Sequence, residues 1–158
     1  MNDEHSASLK DLLQQQDVAA LATLHKGEPA VSMVPYALLA DGSLVIHVSQ
    51  LATHTKDMQE HPGVGLLVLG ERTAGMLPQQ QPRASLHGEA RRCPPEAPEY
   101  AAARGAYLAR FPDSEPMFGF GDFSLFVIQP RAVRYVAGFA QAFSVIAEAY
   151  HRLMAASA

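Results

Sequence analysis

At roughly 150 residues per domain, a chain of 158 residues is a single unit, and residues 1–158 show neither a linker nor an internal repeat. Hydrophobic residues make up 48% and charged residues 18%, enough apolar material for a core and too little charge for a disordered chain. With 12 Lys and Arg against 16 Asp and Glu, the net charge is −4, and the lack of a basic surplus argues against non-specific nucleic-acid binding. Cys93 is the one cysteine, Met1-Asn2-Asp3-Glu4 is acidic where a secretory leader is basic, and the apolar run Val64 to Leu69 is far below the ~20 residues of a membrane helix. These features predict a soluble protein of the reducing cytoplasm.

Ser8-Leu9-Lys10-Asp11 has capping-box spacing, and Leu9, Leu12 and Leu13 recur at helical intervals, predicting a helix that ends near Gln16. Val18 to Leu24 is small or β-branched and meets Lys26-Gly27, so the chain turns back as a hairpin whose return strand runs from Ala30 to Tyr36. Pro35 marks a bulge, an edge or an interruption there. Asp41-Gly42 predicts a type I′ turn, with positive φ at both residues, before a strand from Leu44 to Val48. Ser49 offers an N-cap for a helix that stops before Pro62, and Gly63 to Leu69 is a buried strand.

Gly70 to Pro82 has no periodicity and is expected to be a mobile loop. A strand at Arg83 to Glu89, broken by the prolines after Cys93, precedes a helix from Pro98 to the residue before Pro112. Two strands follow, Asp122 to Ile128 and, beyond Pro130, Ala132 to Val136. A final amphipathic helix carries Phe143, Ile146, Tyr150 and Leu153. The tally is an α+β domain, an antiparallel barrel of six to seven strands with flanking helices. Apolar surface such as the face of the last helix is expected to be covered by a second copy, making a homodimer.

Nucleotide-binding glycine motifs, a nucleophile elbow and paired-cysteine or His-Glu-x-x-His metal spacings are absent from the sequence, so no metal site is expected. What remains is Ser49-Gln50-Leu51-Ala52-Thr53-His54-Thr55-Lys56, where hydroxyls, an imidazole and an ammonium gather at a helix N-terminus. Such an end suits an anion such as a phosphate monoester. On spacing alone an ordinary capped helix with Lys56 in solvent is the commoner explanation. His5, His25 and His61 read as loop or terminus residues, His47 and His87 as strand residues, and His151 as facing away from the apolar stripe of its helix. Surface or structural roles are expected for all but His54. The run Phe118, Phe120, Phe123 and Phe126 reads as core.

Six stretches in order carry a resemblance. They are Ala19 to Leu24 with Pro29 to Tyr36, Ser49 to Met58, Arg83 to Ala90, Tyr107 to Pro112, Phe118 to Phe123, and Val133 to Ala140. Together they resemble the FMN-binding split-barrel superfamily typified by pyridoxamine 5′-phosphate oxidase, and within it the haem-utilisation-like branch. The resemblance implies a split barrel with FMN at a homodimer interface. Ser32, Met33, Val34 and Pro35 would line the flavin, Val48 and Ser49 would follow the ribityl chain, His54, Thr55 and Lys56 would meet the phosphate, and Arg83 would reach the flavin across the sheet.

Ser32 stands where the oxidase has arginine, Thr53-His54 where it has a basic pair, and tryptophan is absent, which disfavours pyridoxamine phosphate oxidation. Asp57 occupies a position usually held by asparagine in the haem-utilisation branch. The reading is therefore an FMN-binding flavoprotein of unknown substrate in which no residue is assigned as catalytic. The alternatives are a haem-binding protein using the same dimer cleft, with His54 or His87 as axial ligand, and a scaffold whose cofactor site has decayed.

Overall fold

A computed structural model describes residues 1–156. The chain opens with α1 (Asp3–Gln15), capped by Asn2, whose side chain accepts from the His5 N–H at 2.9 Å. The cap therefore lies six residues before the expected one at Ser8, and His5 belongs to the first helical turn. Leu9, Leu12 and Leu13 bury the inner face of α1, as their spacing predicts.

β1 (Val18–His25) and β2 (Glu28–Pro35) form a hairpin whose turn residues Lys26 and Gly27 both have positive φ, the type I′ geometry. The order is reversed at Asp41-Gly42, between β3 (Ala37–Leu38) and β4 (Leu44–Ser49). There only Gly42 has positive φ, because the Asp41 carboxylate accepts from the Ser43 N–H and hydroxyl and supports a different turn.

α2 (Thr53–Glu60) follows, then β5 (Gly63–Leu69) and β6 (Arg83–Cys93). Between the last two, Gly70 to Pro82 is irregular apart from one 3₁₀ turn at Pro78–Gln80. Its ends are joined by the Gly70 N–H to the Pro82 carbonyl and by the Gln81 amide to the Gly70 carbonyl. β6 reaches four residues beyond the expected end at Glu89. α3 (Tyr100–Arg110), a 3₁₀ segment at Pro112–Gly119, β7 (Phe123–Gly138), β8 (Gln141–Ile146) and α4 (Ala147–Ala155) complete the chain.

β7 replaces the two strands expected on either side of Pro130. A proline inside a central strand is tolerated at a bulge, and the β6 register shifts between His87 and Gly88, opposite Pro130. Gly88 has no Cβ, so the carbonyl of Gln129 packs where one would stand.

The segment expected to open the last helix is instead β8, because Phe143 and Val145 pair with Tyr135 and Val133 of β7. Alternation places Phe143 and Val145 inward while Ser144 and Ile146 stay outside, a period of two that the helical spacing concealed. The true helix turns Tyr150 and Met154 into the core of its own chain.

The antiparallel sheet runs β2-β1-β5-β6-β7-β4-β3. β7 pairs with β4 through its first half and with β8 through its second, eight strands where six to seven were expected. Sharing one long strand between two partners splits the barrel. Its interior holds Leu21, Ile46, Leu66, Leu86, Phe126 and Ile128, while a smaller cluster with Val45, Leu125 and Tyr107 lies between the outer side of the sheet and α3. Among the described residues no helix is long and apolar enough to cross a membrane.

Candidate functional site

The N-terminal end of α2 gathers the expected anion-binding residues, but the hydroxyls of Ser49 and Thr55 already have partners. Thr55 is fully buried and its Oγ1 donates to the Ser49 carbonyl at 2.7 Å. Ser49 Oγ donates to Asp122 Oδ2 at 3.1 Å and accepts from the Leu51 N–H. Ser49 is thus tied to the start of β7 and does not cap α2. The N-cap is Ala52, which offers no side-chain acceptor, so the first-turn N–H groups are without a side-chain cap. Lys56 is exposed and His54 half-buried. Burial pushes the His54 imidazole below its ordinary pKa, against the pull of the Asp57 carboxylate.

Sequence reasoning missed the network beneath this corner. Asp57 is 2% exposed and accepts from Thr23 Oγ1 at 2.9 Å, with His25 Nδ1 at 2.8 Å from its other oxygen. Burial alone would raise its pKa, but the His25 and Thr23 hydrogen bonds outweigh that and hold it below the ordinary carboxylate range. No local spacing signals it: Asp57 adjoins Met58 but sits about 100° round the helix from it, and only packing against β1 buries the carboxylate and forces its pairing.

On β2, Val34 points into the core, Met33 points out, Pro35 ends the strand, and the Ser32 hydroxyl is buried without a hydrogen-bond partner among the described residues. Val48 lies inside the barrel. Arg83 is half-buried, and its guanidinium donates to the carbonyls of Gln79 and Gln81.

The outer side of the sheet carries a second feature. Register aligns Val31, Ala22, Gly65 and His87 in one cross-strand row, and Met33, Ala20, Leu67 and Ser85 in the next. Val31 is 74% and Met33 63% exposed. The rows form an exposed apolar face that includes small residues and ends on the exposed His87 imidazole. Four strands at ~4.8 Å spacing span about 14 Å, comparable with the width of a tetrapyrrole plane. Arg83 and Arg134 border it on β6 and β7. His54, on α2 against the opposite side of β1, is not brought together with His87.

A family model described as pyridoxamine 5′-phosphate oxidase matches residues 6–137. The chain is 42% identical over 121 residues to the chloroplastic heme oxygenase HOZ of Arabidopsis thaliana, covering 75% of this chain and 35% of that one. It is 24% identical over 139 residues to the heme oxygenase HutZ of Vibrio cholerae, covering 87% and 78%. Among solved structures, a heme-binding protein from Mycobacterium smegmatis superposes with a TM-score of 0.85 at 31% identity, covering 96% of this chain and 62% of that one. The chain thus spans about a third of the Arabidopsis relative and less than two thirds of the Mycobacterium protein. With the split barrel and the matched span agreeing, the chain belongs to the pyridoxamine 5′-phosphate oxidase family.

Proposed function

We propose that this protein binds haem on the outer face of the barrel, with His87 as the axial ligand and a second copy of the chain closing over the apolar rows. The observation that carries this reading is the Val31-Ala22-Gly65-His87 row, an apolar cross-strand row that ends on an imidazole. Haem would supply the iron and the redox chemistry. The protein would supply the apolar seat, the axial nitrogen, and Arg83 and Arg134 as cations for the propionates. The heme-named relatives support haem as the ligand class. Haemin titration of the purified protein tests it. A sharpened Soret band is expected, lost in His87→Ala and kept in His54→Ala. Loss only in His54→Ala would move the ligand to α2, and an unchanged spectrum in both variants would reject both histidines.

One observation favours FMN as a second ligand class. The N-terminal end of α2 is without a side-chain cap and has Lys56 in its first turn, an arrangement suited to a phosphate. Against it, Asp122 engages Ser49 and adds a carboxylate beside that corner. Titration with FMN separates the two readings, since flavin fluorescence quenched by wild type and restored by Lys56→Ala would support the flavin.

A further inference from the structure

On the outer face that carries His87, β6 and β7 set two guanidiniums side by side. Ala84 and Leu86 of β6 and Val133 and Tyr135 of β7 fill the barrel interior, so alternation turns Arg83, Ser85, Arg134 and Val136 outward. Register pairs Arg83 with Val136 and Ser85 with Arg134, which makes the two arginines diagonal neighbours at about 7–8 Å. With Ser85, Gln79 and the exposed Phe139 they line a pocket of about 470 Å³.

Each guanidinium is held by one nitrogen and has the others to spare. Arg83 Nη1 donates to the Gln79 and Gln81 carbonyls at 3.3 and 3.0 Å, and Arg134 Nη1 donates to Ser144 Oγ at 2.8 Å. Neither arginine has an ion pair among the described residues, and no Asp or Glu among them lines the pocket. Two like charges at this separation repel, and carboxylates received by the spare N–H groups relieve the repulsion through charge-assisted hydrogen bonds. The arginines beyond His87 differ. Arg131 and Arg91 both reach Glu89 Oε2, at 2.7 and 3.3 Å, so their charge is already answered within the chain.

We infer that the Arg83–Arg134 pocket is a clamp for the acid edge of the macrocycle, and that it makes the outer face a site for dicarboxylate tetrapyrroles as a class, metal-free ones included. The inference rests on the outer-face reading and extends it, because a clamp that acts on carboxylates is indifferent to what the ring nitrogens hold. Each acid accepts from one guanidinium, with the Ser85 hydroxyl beside both. β1, β2 and β5 contain no Lys or Arg, so the apolar edge of the macrocycle lies over their rows and the acid edge lies over β6 and β7.

Protoporphyrin IX, which holds no metal, and its dimethyl ester, which keeps the macrocycle and masks both acids, are the probes. Fluorescence titration of the whole wild-type protein should show saturable binding of the diacid, with the ester weaker by about tenfold or more, the scale of a lost charge-assisted hydrogen bond. Arg134→Met, at an exposed residue, should bring the diacid down toward the ester. An ester bound as tightly as the diacid, or a diacid preference that survives in Arg134→Met, would overturn the clamp. Haemin titrated alongside separates the two readings. A protein that binds haemin through His87 and not the metal-free diacid has lost the clamp alone, and one that binds neither has lost both.

Discussion

His25 Nδ1 lies 2.8 Å from Asp57 Oδ1, so the last residue of β1 is fastened to the middle of α2, and Thr23 adds a second bond from the same strand. The folded carboxyl has a depressed pKa. Its contribution is therefore complete above the unfolded value of about 3.9 and lost as the pH falls through the lower folded value. Urea midpoints measured against pH should drop below about pH 4 in wild type. Asp57→Ala should be less stable at neutral pH and have a shallower acid limb, and Asp57→Asn, which keeps an acceptor for Thr23, should fall between. An acid limb in Asp57→Ala as steep as wild type would count against the network.

The second fastening is at the C-terminal end. Tyr150 Oη donates to the Gly42 carbonyl at 2.7 Å, both residues are buried, and burial pushes the phenol well above its ordinary pKa. Tyr150→Phe strands that carbonyl and should cost about 1–3 kcal/mol in urea unfolding. Gly42→Ala should cost about 3 kcal/mol. A Cβ there would lie 2.5 Å from Met154 Cγ and 2.9 Å from Tyr150 Cε1, on a backbone with φ of +82°.

Burial pushes the His47 pKa down to about 4, so the ring is neutral in the folded protein while the unfolded chain takes up a proton near pH 6.5. Between those values the unfolded state binds more protons, so stability falls as the pH drops from about 6.5 to about 4. His47→Phe should remove this slope, of roughly 2 kcal/mol across the window after allowing for water access. It should also leave the protein at least as stable at neutral pH. A variant that keeps the slope would place the responsible proton elsewhere.

Val31 and Met33 are exposed on an edge strand, an apolar face that a single chain leaves uncovered. Val31→Glu with Met33→Glu should leave the melting temperature of a monomer unchanged, because neither side chain is packed. If two copies meet there, sedimentation should shift from dimer to monomer in the double variant and the Soret band should weaken with it. A wild-type protein that sediments as a monomer would reject the two-copy reading.

Much of the barrel was legible because its signals are local. Lys26-Gly27, the small or β-branched run of β1, the apolar run of β5 and the leucine spacing of α1 each declare an element within a few residues. The errors arose where one pattern fits two structures. Phe143, Ile146 and Tyr150 have helical spacing, yet the first two lie in β8, because β7 offers an edge to pair with. Pro130 looked like the end of a strand, since the Gly88 bulge that accommodates it is 42 residues away in the chain.

The same division holds for the candidate sites. The sequence alone determined an α+β antiparallel barrel, the family resemblance, and the gathering of hydroxyls and Lys56 at the start of α2. The tertiary structure decided that the Thr55 hydroxyl is bonded to the Ser49 carbonyl and the Ser49 hydroxyl to Asp122, that Asp57 is buried against His25, and that His87 shares a row with Val31 while His47 shares one with Cys93. The physical reason is that strand register and burial join residues tens of positions apart. The free energy of a polar side chain depends on which partner it meets there, and no local spacing records that partner.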